Sequence, residues 1–245
     1  MQSDVTSSDP LAREQIVWSE ECEELMTIRT AQRIAAMLGV KDVATCKGAM
    51  LPFGWHFALL GPALSRSDLR YDGFGGLGPS ASRGGDTQLV LVGRQIRQYG
   101  PVAVGKEMQR RTVVRAKPSK GDSQVMEVGH ELQDGSGLLV RESQAYVIKS
   151  LSASIGFQRC ESDRAVWQPK ISRAVVPDEV LLLQYSSLGF NAHRIHYDQA
   201  YATKVAGFPA LVVNGGLTTL LLLEFLRSAG IKEPRGMSAK HLRPI

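Results

Sequence analysis

The nine-residue segment FNAHRIHYD, residues 190–198, holds the densest group of chemically useful side chains in this chain. It contains His193 and His196 together with an asparagine, an arginine and an aspartate, and it directly follows an apolar run. An imidazole titrates near neutral pH, so a histidine here can act as a general acid or base. Polar groups this dense beside a core element are costly unless they face a cavity or find partners. From spacing alone, a catalytic cavity and an ordinary solvated loop fit the segment equally well.

The elements that must position this segment are predicted from hydrophobic periodicity. Residues 27–38 carry one apolar stripe and are followed by Gly39, which is typical of an amphipathic helix. Residues 51–86 are rich in Gly, Pro and Ser and predict a long loop. Four β-rich segments separated by turn residues predict an antiparallel meander: 89–99, 104–116, 124–133 and 138–148. One helix and a meander make a helix-on-sheet unit, so an α+β fold is expected.

The second half of the chain is predicted to contain a strand at 180–190, a short helix at 198–204, a long helix at 215–228 and a strand at about 238–244. The long helix is apolar on nearly every face, so it must be buried on most sides. Two strands are too few to wrap it. We therefore expect the natural chain to continue beyond Ile245, or a partner subunit to supply the cover. The alternative is that this helix borrows its cover from elsewhere in the chain.

Composition narrows the class of protein. A chain of 245 residues with 43% hydrophobic and 22% charged residues can fold around a substantial core. No apolar run approaches the ~18 residues of a bilayer span, and the N-terminus lacks a secretory signal, so we expect a cytoplasmic protein without membrane contact. Three widely spaced cysteines (Cys22, Cys46 and Cys160) indicate reduced thiols rather than disulfides or a zinc site. The net charge of +5 fits a solvated basic surface or a polyanionic ligand, and no motif favours nucleic acid.

Two segments carry a resemblance to a known family. FNAHRIHYDQAYA, followed by GFPALVVNGGLTTLLL, closely resembles the MaoC-like hydratases and dehydratases, in the branch of hydroxyacyl-thioester dehydratase type 2, itaconyl-CoA hydratase and mesaconyl-C4-CoA hydratase. LPFGWHF and PDEVLLLQYSSLGFN also resemble that branch. The resemblance implies an α+β double hot-dog fold, in which each half is an antiparallel sheet wrapped around a central helix. Residues 20–150 would be a degenerate hot dog that shapes the acyl pocket, 151–178 a linker, and 179–245 the catalytic hot dog, lacking its last strands.

The same resemblance implies the reaction, which is the addition or removal of water across the α,β double bond of an acyl-CoA thioester. The acyl group would be of the mesaconyl, itaconyl or 3-hydroxyacyl type. Coenzyme A would be part of the substrate, and neither a metal nor a redox cofactor would be needed. A homo-oligomer, such as a dimer, is also expected.

The motif match is incomplete. The broader family has Asp, any residue, Asn, Pro, an apolar residue and His. Only the last two fall on matching residues here, Ile195 and His196, while Asn191, His193 and Arg194 stand where the family has Asp, Asn and Pro. These changes resemble a trait of the branch, and they put the usual aspartate–histidine mechanism in doubt.

The remaining residues still allow hydration. A neutral His196 would be the base, and its imidazolium could return the proton to the α-carbon. Asn191 would orient the water through its carbonyl, and His193 would assist. Asp198 would either orient an imidazole or cap the short helix that follows it, with capping slightly favoured.

Other residues are candidates for binding the substrate. Asn214 and Gly215 begin the long helix, where free N–H groups suit an oxyanion. The other candidates are Arg194, Trp55 and His56, although a Trp-His pair inside an apolar run is more often core. Three arginines that might reach coenzyme A phosphates are more often solvated: Arg83, Arg94 and Arg97.

Two other functions remain open. A hot-dog thioesterase would need a carboxylate on or near the central helix, and Glu224 is the one that the helix offers, near its end. A non-catalytic acyl-CoA binding protein is the second alternative.

Overall fold

The computed structural model describes residues 15–79, 87–118, 123–150, 170–231, 234–243 and 245. Its nine main elements are β1 (Gln15–Leu25), α1 (Ile28–Leu38), β2 (Thr87–Gln98), β3 (Glu107–Lys117), β4 (Gln124–Asp134), β5 (Gly137–Ser150), α2 (Glu179–Leu188), α3 (Gly215–Ser228) and β6 (Gly236–Lys240). The strands form one antiparallel sheet in the order β1-β3-β4-β5-β2-β6. The expected α+β class is therefore confirmed, and no helix among the described residues is long and apolar enough to span a membrane.

The helix predicted at 27–38 and the four predicted strands are confirmed. The meander holds only for β3, β4 and β5, because β2 pairs with β5 and β6 instead of with β3. The Thr27 hydroxyl accepts a hydrogen bond from the Thr30 N–H and caps α1, which ends at Gly39 in a left-handed conformation. Strand β1 was not foreseen, because four of its eleven residues are glutamates, which are uncommon in strands. It pairs with β3, where buried Arg110 holds Glu20 and Glu24 at 3.0 and 2.9 Å.

The strand predicted at 180–190 is wrong, because this segment forms helix α2. A short continuous apolar run fits a buried strand and a buried helix equally well. The decisive group precedes the run: the Asp178 carboxylate accepts a hydrogen bond from the Leu181 N–H at 2.8 Å and caps the helix. The helix then buries Leu182 and Tyr185 on one face.

Helix α3 is confirmed at 215–228, and its buried face packs into the core that the first half of the chain builds. Leu217, Leu220 and Leu223 belong to the same cluster as side chains of α1, α2 and the sheet, including Ile34 and Ile96. The described part of the second half contributes one strand, β6, which extends the first-half sheet by pairing with β2. The buried face of α3 is thus covered by the first half together with α2, while Leu222 stays 52% exposed.

The predicted division into 20–150, 151–178 and 179–245 stays a prediction. Most of the predicted linker, residues 151–169, lies outside the described residues.

Candidate active site

A cavity of about 440 Å³ lies between the sheet, the 57–76 loop and the segments that flank α3. Both halves of the chain line it. The first half contributes side chains of β2, β4 and β5, and the second contributes Tyr185 of α2, the start of α3 and residues that follow β6. Of the predicted site residues, the structure brings Asn191, His193, His196, Asn214 and Gly215 to this cavity.

The segment that carries the two histidines is held by its backbone. It forms a short 3-10 turn at Arg194–His196, and the Arg194 N–H donates to the Asp72 carbonyl at 2.8 Å. Within the turn, the Ile195 carbonyl accepts from the Val212 N–H at 2.9 Å. Gly73 lies so close to the Ala192 carbonyl that no Cβ would fit there. The loop that contains Asp72 and Gly73 and the segment before α3 that contains Val212 therefore hold the turn from two sides.

His196 is buried and in a defined tautomer. Its Nδ1 lies 2.7 Å from the Val212 carbonyl, which can only accept, so Nδ1 carries the proton and Nε2 keeps its lone pair. Burial, followed by the nearby His193, lowers the pKa of His196 to about 3. The imidazole is therefore neutral at pH 7 and can accept a proton through Nε2.

His193 packs edge-on against His196, with ring centroids 5.3 Å apart. Its Nε2 lies 3.6 Å from the carboxylate of Asp72, which is buried and paired with Arg70. Burial, and then the charge of Arg70, lowers the pKa of His193 to about 3. Asp72 was missed by the sequence reasoning, because it stands in a glycine-rich loop more than a hundred residues from the histidines.

Asn191 shapes the turn as well as lining the cavity. Its side-chain oxygen accepts a hydrogen bond from the His193 N–H at 3.1 Å. Such an Asx turn fixes the backbone just before the buried histidine. The carbonyl that was expected to orient water thus already serves the backbone, while the role in orienting water stays a prediction.

Asp198 caps the helical turn that follows it, which confirms the favoured interpretation. Its carboxylate accepts from the Tyr201 N–H at 2.9 Å and pairs with the Arg194 guanidinium at 2.8 Å. Arg194 also lies over the Tyr201 ring, 4.2 Å from its centroid. The structure does not bring Arg194 or Asp198 to the cavity, and Asp198 has no contact with either imidazole that would orient it.

The start of α3 faces the cavity with its N–H groups free of a side-chain cap. Asn214, Gly215 and Gly216 all line the cavity, and Asn214 makes no capping hydrogen bond. A Cβ on Gly216 would collide with the Tyr185 hydroxyl and would lie 2.9 Å from Arg94 Nη1. Glycine is therefore required here by close packing, and it leaves helix N–H groups accessible to a bound oxygen.

The structure does not bring Trp55 and His56 to the cavity, where they were expected to bind the acyl group. Both are buried in the core, as is usual for such a pair. Trp55 Nε1 donates to Glu224 at 2.9 Å, and His56 Nε2 donates to Glu142 at 2.9 Å. Trp55 therefore belongs to the core, while His56 is linked to the cavity through Glu142, which also holds Arg94.

A polar floor on the sheet was also missed. Glu142 is fully buried and accepts hydrogen bonds from Arg94, His56 and Gln144. Burial alone would raise the pKa of Glu142, but the charge of Arg94 and the hydrogen bond from His56 hold it well below its usual range. Opposite Glu142 on β4 stands His130, whose pKa is lowered by burial to about 4. Glu142 and His130 are paired across β4 and β5, so their side chains lie on one face of the sheet. The partners of Glu142, which are Arg94 and His56, come from other segments of the chain.

No group of three or more His, Cys, Asp or Glu in the described ranges is placed to hold a metal ion. Independence from metals and cofactors stays a prediction.

Comparisons with known proteins agree with this architecture. The sequence profile of hydroxyacyl-thioester dehydratase type 2 matches residues 54–245. A mesaconyl-C(4)-CoA hydratase of Chloroflexus aurantiacus is 31% identical over 234 residues, which are 93% of this chain and 82% of that protein. HtdX of Mycobacterium tuberculosis has a similar fold, with a TM-score of 0.62 and 14% identity over 93% of this chain and 84% of its own. A second M. tuberculosis protein, described as a double hot dog, matches with a TM-score of 0.54 and 13% identity over 93% of this chain and 79% of its own. The predicted double hot-dog class is confirmed.

Proposed function

The chain belongs to the hydroxyacyl-thioester dehydratase type 2 family, and we propose that it adds or removes water across the α,β double bond of an acyl-CoA thioester. One observation carries the proposal: a neutral His196 and the open N-terminus of α3 line the same cavity. The first is a base for water, and the second is a site for the negative charge that develops on the thioester oxygen.

In the hydration direction, His196 Nε2 takes a proton from water while the water oxygen bonds to the β-carbon. The electron pair of the double bond moves through the α-carbon to the thioester oxygen. The N–H groups of Gly215 and Gly216 stabilise the resulting enolate. The enolate then collapses, and the α-carbon takes the proton back from the imidazolium. Dehydration is the reverse of these steps, and the enzyme is unchanged in both directions.

His193 and Asn191 support this chemistry by position. His193 borders the His196 ring, and Asn191 holds the backbone of His193. We assign to His193 a share in the proton transfer and to Asn191 the orientation of the attacking water. Asp198 acts through the fold, because its carboxylate caps the turn after His196.

The charges of the cavity support coenzyme A as the carrier. Lys149 and Arg243 line the cavity and are exposed to solvent, so they stand at its rim. Their charges suit the phosphates of coenzyme A, while the acyl group would enter the buried interior. The acyl groups to test first are a branched dicarboxylic acyl, as in the name of the C. aurantiacus relative, and a 3-hydroxyacyl group.

The proposal extends to the setting of the enzyme. We expect no metal or redox cofactor, no nucleic-acid partner and no membrane contact. The free thiols of Cys22 and Cys46 support a cytoplasmic location. Exposed apolar side chains on α2 and α3 support a homodimer, among them Val180, Leu183 and Leu222.

Thioester hydrolysis is disfavoured by the place of Glu224. Its carboxylate is buried, accepts from Trp55 Nε1 and pairs with Arg227 at 2.9 Å, and it does not line the cavity. It is therefore committed to the core and cannot activate a water beside the substrate.

Two assays on the purified protein test the function. Hydration removes the ultraviolet absorbance of the enoyl thioester, whereas hydrolysis releases a thiol that a disulfide reagent detects. We expect loss of the enoyl band without thiol release, and the same loss after treatment with a metal chelator. Thiol release at the rate of the absorbance change would instead identify a thioesterase, and binding without either signal would identify a non-catalytic protein.

A further inference from the structure

We propose that His241 is a catalytic residue that donates a hydrogen bond to the thioester oxygen, together with the N–H groups at the start of α3. This inference rests on the proposed function, since it assumes an acyl-CoA thioester in the cavity. The imidazole keeps its proton throughout, so the hydration steps and their balance are unchanged. The proposal gives a role to a cavity histidine that the sequence motif does not include.

The first step is the position of the imidazole, which the sheet fixes. Lys240 ends β6 and pairs with Gly93, and the His241 N–H continues this ladder by donating to the Val92 carbonyl at 3.0 Å. Side chains alternate along β6, with Met237 and Ala239 half-buried and Ser238 and Lys240 exposed. His241 continues the inward series, and its side chain lines the cavity.

The second step is the contact of the imidazole with α3. A Cβ on Gly215 would lie 3.1 Å from His241 Cε1 and 3.3 Å from His241 Nδ1. The glycine therefore lets this edge of the ring border the first residue of the helix. Gly215 also supplies one of the N–H groups that the proposed mechanism directs at the thioester oxygen. The Nδ1 edge of His241 and that N–H thus belong to the same end of the cavity.

The third step is the protonation state of the ring. Burial, and then the charge of Arg94, lowers the pKa of His241, so the ring is neutral at pH 7 and carries one N–H. Nε2 is enclosed and has no hydrogen-bond partner in the described part of the chain. The ring therefore meets the cavity through its other edge. A proton on Nε2 would have no acceptor, so we place it on Nδ1, where it can bond to a ligand oxygen.

The carbonyl stretch of a bound thioester reports such a hydrogen bond directly. Butyryl-CoA is the probe, because it keeps the thioester and has no double bond to hydrate. Infrared difference spectra of butyryl-CoA, with an isotope label at the carbonyl carbon, give the stretching frequency in the bound state. We expect the frequency to fall on binding to the wild-type protein, because donors at the oxygen polarise the carbonyl.

Two substitutions separate the donor from the packing of the ring. His241→Leu removes the N–H, so we expect a smaller frequency shift and a kcat for enoyl-CoA hydration lower by roughly 100-fold, as loss of one oxyanion donor typically causes. KM should change by less than about three-fold, since the bond strengthens as charge develops. His241→Gln supplies a side-chain N–H and should recover much of the shift and bring kcat to within about ten-fold of wild type.

Ser238→Ala is the matched control, since Ser238 is an exposed residue of the same strand, and it should leave both readouts unchanged. If circular dichroism shows His241→Leu unfolded, His241→Phe replaces it, because it keeps a flat ring without a donor.

An unchanged carbonyl shift in the variant that lacks the donor would overturn the assignment, and so would the absence of a shift in the wild-type protein. Equal loss in the Leu and Gln variants would show that the ring only packs against α3. A smaller shift with an unchanged kcat would remove the catalytic role. Failure of the proposed function is distinguishable, because the infrared measurement needs no turnover: if no enoyl-CoA is hydrated but the shift depends on His241, the hydrogen bond stands and the hydration proposal falls.

Discussion

At the scale of single residues, the site is built from groups that are kept neutral by burial. Burial lowers the pKa of both His193 and His196 to about 3, so both imidazoles are neutral at pH 7. The difference between them lies in their partners. His196 donates Nδ1–H to a backbone carbonyl, which fixes its tautomer, whereas His193 lies near the carboxylate of Asp72. The fixed tautomer favours His196 as the base.

Replacing His196 with alanine tests that assignment. We expect kcat to fall by roughly two to four orders of magnitude, as loss of a general base typically causes. The loss of one buried hydrogen bond should lower the free energy of unfolding by about 1–3 kcal/mol, so the variant should still fold. Tyr197→Phe, at the neighbouring exposed residue, is the control and should retain activity. Activity of His196→Ala within a few-fold of wild type would remove His196 from the mechanism.

Asn191 offers a matched pair of substitutions. Asn191→Asp keeps an oxygen that can accept from the His193 N–H, so it should retain or raise activity. Asn191→Ala removes that acceptor; we expect a lower kcat with KM nearly unchanged, and a loss of about 1 kcal/mol in unfolding free energy. Steady-state kinetics and urea titration measure both. Abolished activity in a folded Asn191→Asp variant would show that the two residues are not equivalent.

At the scale of elements, the N-terminus of α3 is the point where helix, sheet and α2 meet. Gly216 lets the Tyr185 hydroxyl and Arg94 Nη1 approach the first turn of the helix. In an ordinary helix, replacing glycine with alanine raises stability by about 1 kcal/mol. Here the added methyl group must displace a buried tyrosine or shift the helix, so the opposite sign is expected.

Gly216→Ala should lower the free energy of unfolding by about 1–3 kcal/mol, as overpacking does. It should also reduce kcat/KM by at least about ten-fold, because the N–H groups that face the thioester oxygen move with the helix end. Gly135→Ala is the control, since a Cβ there meets nothing within 4 Å. Equal stability of the two variants in thermal unfolding would mean that the contact around Gly216 is loose.

At the scale of the whole molecule, three buried histidines make stability depend on pH. Burial lowers the pKa of His130 to about 4 and the pKa values of His193 and His196 to about 3. In the unfolded chain each would titrate at about 6.5, so between pH 6.5 and 4 the unfolded state binds more protons. The folded state is therefore most stable above about pH 6.5, where the histidines are neutral in both states. Its free energy of unfolding decreases as pH falls toward the folded pKa values, because protons bind the unfolded chain first.

At pH 5 each of these three histidines should lower the free energy of unfolding by about 2 kcal/mol relative to its value at pH 7 and above. Urea titrations at steps between pH 5 and 7.5 measure this loss. In His130→Gln the slope of unfolding free energy against pH below 6 should be shallower by about 1 kcal/mol per pH unit. If that slope equals the wild-type slope, His130 is not held neutral by the fold.

The sequence by itself determined α1, the strands β2 to β5, α3 and the segment that carries the chemistry, but not the place of β2 beside β5. Each of these has a local signal: a 3.6-residue apolar period, turn residues between β-rich runs, or polar groups crowded behind an apolar run. The same local reasoning slightly favoured Asp198 as a cap over a role in orienting an imidazole, because the capping partner lies three residues away. The family resemblance added the reaction that these residues serve.

Only the tertiary structure decided which side chains share the cavity. The Asp72 carboxylate meets His193, and Arg94 meets Glu142, across separations in the chain that no periodicity spans. Trp55 and His56 lie in the core because their polar atoms find Glu224 and Glu142 there. Helix α3 is covered by the first half and by α2 for the same reason: buried contacts depend on which distant segments meet, and local sequence patterns do not encode those meetings.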